Sequence, residues 1–192
     1  MSDQTAPADR LAAAAKAASK GGLPPVHLWD PPFCGDLDIR IAADGQWYYL
    51  GSPIGRAALV TLFASILKRE GEKYFLVTPV EKIGITVEDA PLFATDFTAS
   101  GAGEAQILRF TTRTEDVVIA GPENPLRFDR DASGETLPYV HVRAGLWAKI
   151  DRKSFFRLVD LACHHAHEGD SWFGLWSKGQ FFPMIPSSDL GI

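Results

Sequence analysis

Three groups of polar side chains in this chain have the types and spacing to hold an anionic molecule. In the first, Arg109, Thr111 and Arg113 alternate with Leu108 and Phe110, so a strand that buries the apolar pair presents both guanidiniums on its other face. His141 and Arg143 stand in the same relation to Val140 and Val142, and Arg40 to Ile39 and Ile41. Guanidinium forks match phosphate and carboxylate, and several converging would make an anion site. Scattered, they are the ordinary solvent faces of sheets. In the second group, Thr78-Pro79-Val80-Glu81-Lys82 is followed by Glu88-Asp89. A polar loop after a strand can position a ligand, with Glu81 or Asp89 accepting from a sugar hydroxyl and Lys82 meeting negative charge. The plain alternative is surface ion pairing and turn capping by Glu81, Lys82 and Asp89. The third group is Ser52-Pro53-Ile54-Gly55-Arg56. Ser before Pro predicts a helix start, whose free N–H groups attract anions, although capping by Ser52 alone explains the pattern. The phosphate-loop pattern GxxxxGK[ST] is absent.

Other chemistry is poorly served. Cys163-His164-His165-Ala166-His167-Glu168 puts His164 and His167 three apart on the helix expected there, which raises a metal site and a metal-dependent enzyme as an alternative. A third ligand would have to come from elsewhere. Imidazoles at a helix C-terminus also have a plain dipole explanation. No GxSxG, HExxH or CxxC is present, so no nucleophile is identified, and no cofactor or metal is assigned. Cys34 lies in a Pro/Gly turn, and Cys163 is expected to be buried in the helix. Trp47, Tyr49, Trp147, Trp172 and Trp176 offer faces for a base, but aromatics in strands are more often packing residues.

The elements that carry these residues come in two related copies. Gly45-x-Trp47 returns as Gly145-x-Trp147, and Glu70-Gly71-Glu72-x-Tyr74-Phe75 returns as Glu168-Gly169-Asp170-x-Trp172-Phe173. Between these landmarks each copy reads as an amphipathic helix. The first runs from Ser52-Pro53 to Gly71, with a stripe of Leu59, Leu62, Phe63, Ile66 and Leu67. The second is capped by Asp151 and ends at Gly169, with Phe155, Leu158, Val159 and Ala162 as its stripe. Alternating strands flank each helix, with Asp44-Gly45 a hairpin turn. Residues 1–22 form an Ala-rich arm in which Asp9 caps a short helix stopped by Gly21-Gly22. Leu23 to Cys34 is Pro-rich extended chain, neither helix nor central strand, pinned by Val26, Leu28, Trp29 and Phe33.

Long stretches resemble a bacterial family known as domain of unknown function 1285. They are Gly51-Ser52-Pro53-Ile54-Gly55-Arg56, Val77-Thr78-Pro79-Val80-Glu81-Lys82, Val87-Glu88-Asp89-Ala90-Pro91, Tyr139-Val140-x-Val142-Arg143-x-Gly145-Leu146 and Arg157-Leu158-Val159-x-Leu161-Ala162. The resemblance covers nearly everything after the Ala-rich arm. It implies an internal duplication, a second unit loosely like a pleckstrin-homology barrel, and a role in signalling with a nucleotide-like ligand between the units. It implies no enzymatic activity. Trp147 departs from the small or acidic residue usual in the family at that position.

The fold expected is therefore α+β with an internal duplication: two small antiparallel-sheet units, each packed on one helix. Residues 23–100 make the first unit and 101–192 the second. A formal net charge of −5 argues against binding a DNA or RNA polymer. The absence of a signal-peptide core, of a long apolar run and of paired cysteines predicts a cytoplasmic protein that does not enter a membrane. The function expected is a non-enzymatic sensor or adaptor. It binds a small anionic, nucleotide-like ligand at the interface of the units through Arg56, Thr78, Glu81, Lys82, Asp89, Arg109, Arg113, His141 and Arg143, and passes the signal to a protein partner. The alternative in another class is a protein-interaction module that uses an exposed strand edge.

Overall fold

The computed structural model describes residues 7–19 and 22–190. The expected helix stop at Gly21 and the first six residues of the arm lie outside them. The chain divides into two compact units, Met1–Pro91 and Leu92–Ile192. This boundary falls before the expected one at residue 100, because the strand Leu92–Ser100 pairs only with later strands.

In the first unit, helix α1 (Pro7–Ala18) precedes strands β1 (Phe33–Ile41), β2 (Trp47–Tyr49) and β3 (Ser52–Pro53). Helix α2 (Ala57–Ser65) follows, and then β4 (Leu67–Glu70), β5 (Lys73–Val77) and β6 (Lys82–Val87). The strands form one sheet in the order β3-β2-β1-β6-β5-β4, antiparallel except for the parallel pair β1/β6. One face buries Ile39, Ile41, Trp47, Leu67 and Leu76, and Phe63 of α2 stacks on Trp47 at 6.3 Å between centroids. The Ala-rich helix α1 docks against α2 through fully buried Leu11 and Ala15.

Several local expectations are corrected in this unit. Ser52 caps nothing: Leu50 (φ 48°) and Gly51 (φ 76°) make a two-residue hairpin turn that folds Ser52–Pro53 back on β2. The helix therefore starts later, with Arg56 as its N-cap and no capping side chain. It also ends at Ser65, not Gly71. The Ile66 carbonyl accepts from Val77 N–H at 2.9 Å, and Leu67 begins a strand opposite Leu76. Gly71 (φ 61°) is the first turn residue of the β4–β5 hairpin. Asp9 lies inside the first turn of α1, which begins at Pro7. The Pro-rich lead-in contains a 3-10 turn, Val26–Leu28, and its last residues enter the central strand β1. Leu28 is exposed and does not pin the segment, whereas Phe33, though exposed, packs edge-on against the Phe75 ring at 6.1 Å between centroids.

The second unit opens with β7 (Leu92–Ser100), β8 (Ile107–Thr112), β9 (Val117–Ile119), β10 (Leu126–Arg130), β11 (Thr136–Arg143) and β12 (Leu146–Ile150). Helix α3 (Arg152–Val159), β13 (Cys163–His167), β14 (Asp170–Ser177) and β15 (Gln180–Pro186) follow. One sheet has the order β10-β11-β12-β7-β8-β9, with β12/β7 its parallel pair, and β13-β14-β15 is a second. Ser177 links the two: its buried hydroxyl accepts from Leu108 N–H at 3.0 Å and donates to the Ala120 carbonyl at 2.8 Å. Asp151 caps α3 as expected, accepting from Ser154 N–H at 2.7 Å. As in the first unit, the expected helix is too long. It ends at Val159, and Cys163–His167 is a strand whose turn at Glu168-Gly169 has both φ values positive (52° and 94°).

The two units thus share one succession: hairpin, helix, three-stranded meander. It is β1-β2, α2, β4-β5-β6 in the first, and β11-β12, α3, β13-β14-β15 in the second. In the first unit the meander joins the hairpin's own sheet through β1/β6, whereas in the second it stands as a separate sheet. The protein is α+β with a duplicated pattern of elements.

Candidate functional site

The nine expected ligand residues fall in separate surroundings, and most already have internal work. Thr78 is fully buried and closes the β5–β6 turn: its Oγ1 accepts from Glu81 N–H at 3.2 Å, and its own N–H donates to the Glu81 carbonyl at 2.9 Å. Glu81 is nearly buried and lies 3.8 Å from Arg10 of α1. Lys82 lies 3.0 Å from Glu70 and over the Phe75 ring. Hydrogen bonds from Lys82 and then Lys68 hold the Glu70 carboxyl below its ordinary value. Asp89 is half-buried near the end of this unit. Thr78, Glu81 and Lys82 are thus brought together by the turn, which engages the Thr78 hydroxyl, while the Lys82 ammonium is paired with Glu70 of β4 and the Glu81 carboxylate faces Arg10 of α1.

In the second unit, Leu108 and Phe110 are fully buried, and Arg109 and Arg113 are exposed on the opposite face, as the alternation requires. Arg113 covers the Phe93 ring at 4.9 Å. His141 and Arg143 do not share a face. The pairing slips between them: His141 stands opposite Trp147 and Arg143 opposite Leu146, so a bulge at Val142 turns Arg143 over. Arg143 then pairs with Asp116, which also accepts from the Thr112 and Thr114 hydroxyls. Both ring nitrogens of His141 are engaged. Gly145 N–H donates to Nε2 at 3.2 Å, which fixes the proton on Nδ1, and Nδ1 meets the Glu123 carbonyl at 3.1 Å. Asn124 donates to both carbonyls that flank the bulge.

Arg56 is exposed, and its guanidinium, like that of Arg109, makes no hydrogen bond or ion pair among the described residues; it differs from the others in where it lies. It lines two cavities of the first unit. One, of about 540 Å³, lies between α1 and α2 and is lined by Asp9, Ala12, Ala13, Lys16, Arg56, Ala58, Leu59 and Leu62. The other, of about 260 Å³, lies between the α1 end and the β2–β3 turn, with Tyr49, Ser52, Ile54 and Gly55 in its wall. Asp9, Arg56 and Leu59 belong to both. Sequence reading missed Lys16 and Leu59 as site residues and weighed Tyr49 only as a face for a base. Asp9 was assigned to a cap and Leu59 to the core, and only the docking of α1 turns them toward a shared space. A third cavity, of about 380 Å³, opens on the outer face of the sheet by Asp36, Lys73, Phe75, Gly84 and Thr86. A Cβ at Gly84 would stand 2.0 Å from Asp36 Oδ1, so only glycine admits that carboxylate over β6.

The helical spacing on which the metal alternative depended is not present, because Cys163–His167 is a strand. On strand β13, His164 and His167 point to opposite faces, and Cys163 is exposed. His165 and His167 pack on the Phe181 ring, while His164 Nδ1 lies 2.7 Å from Ser187 Oγ. Among the described residues no group of three or more His, Cys, Asp or Glu is placed to hold a metal ion. No helix among them is long and apolar enough to cross a membrane.

Comparison with known proteins places these observations. The chain matches the model of "Domain of unknown function (DUF1285), N-terminal domain" over residues 24–90, and that of the DUF1285 C-terminal domain over residues 91–184. It is similar to the crystal structure of a DUF1285 family protein from Silicibacter pomeroyi DSS-3, with 55% identity and a TM-score of 0.87 over 95% of this chain and 98% of that one. It is also similar to one from Shewanella baltica OS155, with 31% identity and a TM-score of 0.50 over 64% of this chain and 90% of that one. No curated protein matches. Both family models fall on the two structural units in turn, and the chain belongs to the DUF1285 family.

Proposed function

We propose that the protein is a non-enzymatic sensor or adaptor that binds a small anionic ligand at Arg56 of its first unit. The observation that carries this reading is the unengaged guanidinium of Arg56 where two cavities meet. A guanidinium already committed to a carboxylate, such as that of Arg143, is a weaker candidate, because a ligand would first have to displace Asp116. Together the two cavities lie in the size range of small-molecule sites. The reading is tested by thermal unfolding with a panel of inorganic phosphate, AMP and octanoate. An anion at a hundredfold excess over Kd stabilises the protein by about 2.7 kcal/mol, and Arg56→Gln should abolish that shift. No shift with any member, or the same shift in Arg56→Gln, overturns it.

A second reading has its own observation. Strand β13 is the edge of its sheet, pairs only with β14 among the described residues, and exposes Cys163, His164 and Ala166. Neither proline nor lysine guards it, so an extended segment of a partner could add there. Binding of a partner that survives Arg56→Gln and is lost in Ala166→Pro would favour this reading.

A further inference from the structure

The larger cavity says what kind of anion fits, and this inference rests on the Arg56 reading. We propose that the groove between α1 and α2 takes a free single-chain carboxylate. Its aliphatic tail would lie along Ala12, Ala13, Ala58 and Leu62, and its head would meet Arg56.

Three observations converge. First, the groove is walled by methyl and isobutyl groups from both helices and contains no aromatic ring. A nucleobase would find nothing there to stack on, whereas a methylene chain is matched along the whole wall. Second, the lining carries two cations, Arg56 and Lys16, against the single carboxylate of Asp9, and its other residues are apolar. That balance suits a ligand with one anionic group and an uncharged body. Third, alanines on both helices keep the wall low, so the channel of about 540 Å³ has the dimensions of a small-molecule site. A whole helix, about 10 Å across with its side chains, is a poor match for it.

The test uses the full-length protein and titration calorimetry with acetate, hexanoate, octanoate and decanoate, all below their micellar range. Each added methylene buried in the groove is worth about 0.8 kcal/mol, so affinity should rise about fourfold per CH₂ until the groove is full. Octanol should bind at least tenfold more weakly than octanoate. Arg56→Gln should erase that head-group difference while keeping the chain-length slope. Ala13→Phe, at an exposed wall position, should fill the groove and flatten the slope without disturbing the core. Equal affinity across the series, equal binding of octanol and octanoate, or an unchanged slope in Ala13→Phe overturns the proposal. So does binding to anionic phospholipid vesicles with none to the free acids. If phosphate or AMP binds through Arg56 while the acid series stays flat, this inference fails and the anion-site reading stands. If no anion binds, both fail.

Discussion

Two buried serines in the second unit should respond to the same substitution with opposite signs. Ser177 is fully buried and its hydroxyl serves two main-chain groups, accepting from Leu108 N–H and donating to the Ala120 carbonyl. Leu108 and Ala120 are themselves fully buried, so no water replaces the hydroxyl. Ser177→Ala strands a donor and an acceptor at once. Each unsatisfied buried group costs about 1–3 kcal/mol, and we expect a net loss of about 3 kcal/mol after crediting the removal of a buried hydroxyl. Ser154 is as deeply buried, in α3, but its Oγ has no hydrogen-bond partner. Ser154→Ala removes a group that gave up water for nothing and gains about 0.5 kcal/mol of helix propensity. It should leave stability unchanged or raise it by about 1 kcal/mol. The assay is urea unfolding followed by tryptophan fluorescence, with hydrogen exchange read on the segment 107–112. With a slope of about 2 kcal/mol per molar urea, Ser177→Ala should lower the midpoint by about 1.5 M and speed exchange in that segment. The first unit supplies its own reference in the exchange of residues 73–77. A Ser177→Ala shift below about 0.25 M, or an equal loss in Ser154→Ala, would refute the reasoning.

Two further outcomes follow from the same geometry. Gly174→Ala should cost more than about 3 kcal/mol, because the new Cβ would lie 2.3 Å from the Phe182 carbonyl oxygen and 2.7 Å from Phe181 Cζ. An urea midpoint within 0.5 M of wild type would contradict that packing. The carboxyls of Glu70 and Asp96 are held below their ordinary values, Glu70 by hydrogen bonds from Lys82 and Lys68, Asp96 by one from Arg157 and then by the Phe97 N–H. Depressed native values mean that their contribution is fully present above the ordinary carboxylate range near pH 4 and is lost as pH falls through the native values. Thermal midpoints should therefore hold level from pH 7 to about pH 5 and drop below it, and the Glu70→Gln, Asp96→Asn double variant should show a shallower drop. An unchanged slope would count against the pairing.

Where a requirement was local, the sequence settled it. Asp151 capped α3 because a carboxylate before an amphipathic run has free N–H groups within its own reach. Gly45 turned the first hairpin because only the residue itself decides whether positive φ is tolerated. The buried and exposed sides of β8 followed from alternation alone. Where a segment needed a distant partner, the tertiary structure decided. Leu67–Glu70 and Cys163–His167 read as the last turns of helices, since each follows an amphipathic stripe with no glycine or proline to stop it before Gly71 or Gly169. They became strands because β5 and β14 offered them ladders of hydrogen bonds. The bulge that separates Arg143 from His141 is one unpaired residue, fixed by Asn124 from another segment. Arg56 became the candidate site only when α1 docked on α2 and made a groove beside it. A cap or a turn is written in a few neighbouring residues; a pairing, a bulge or a cavity is a relation between residues far apart in the chain, and only the folded polypeptide holds it.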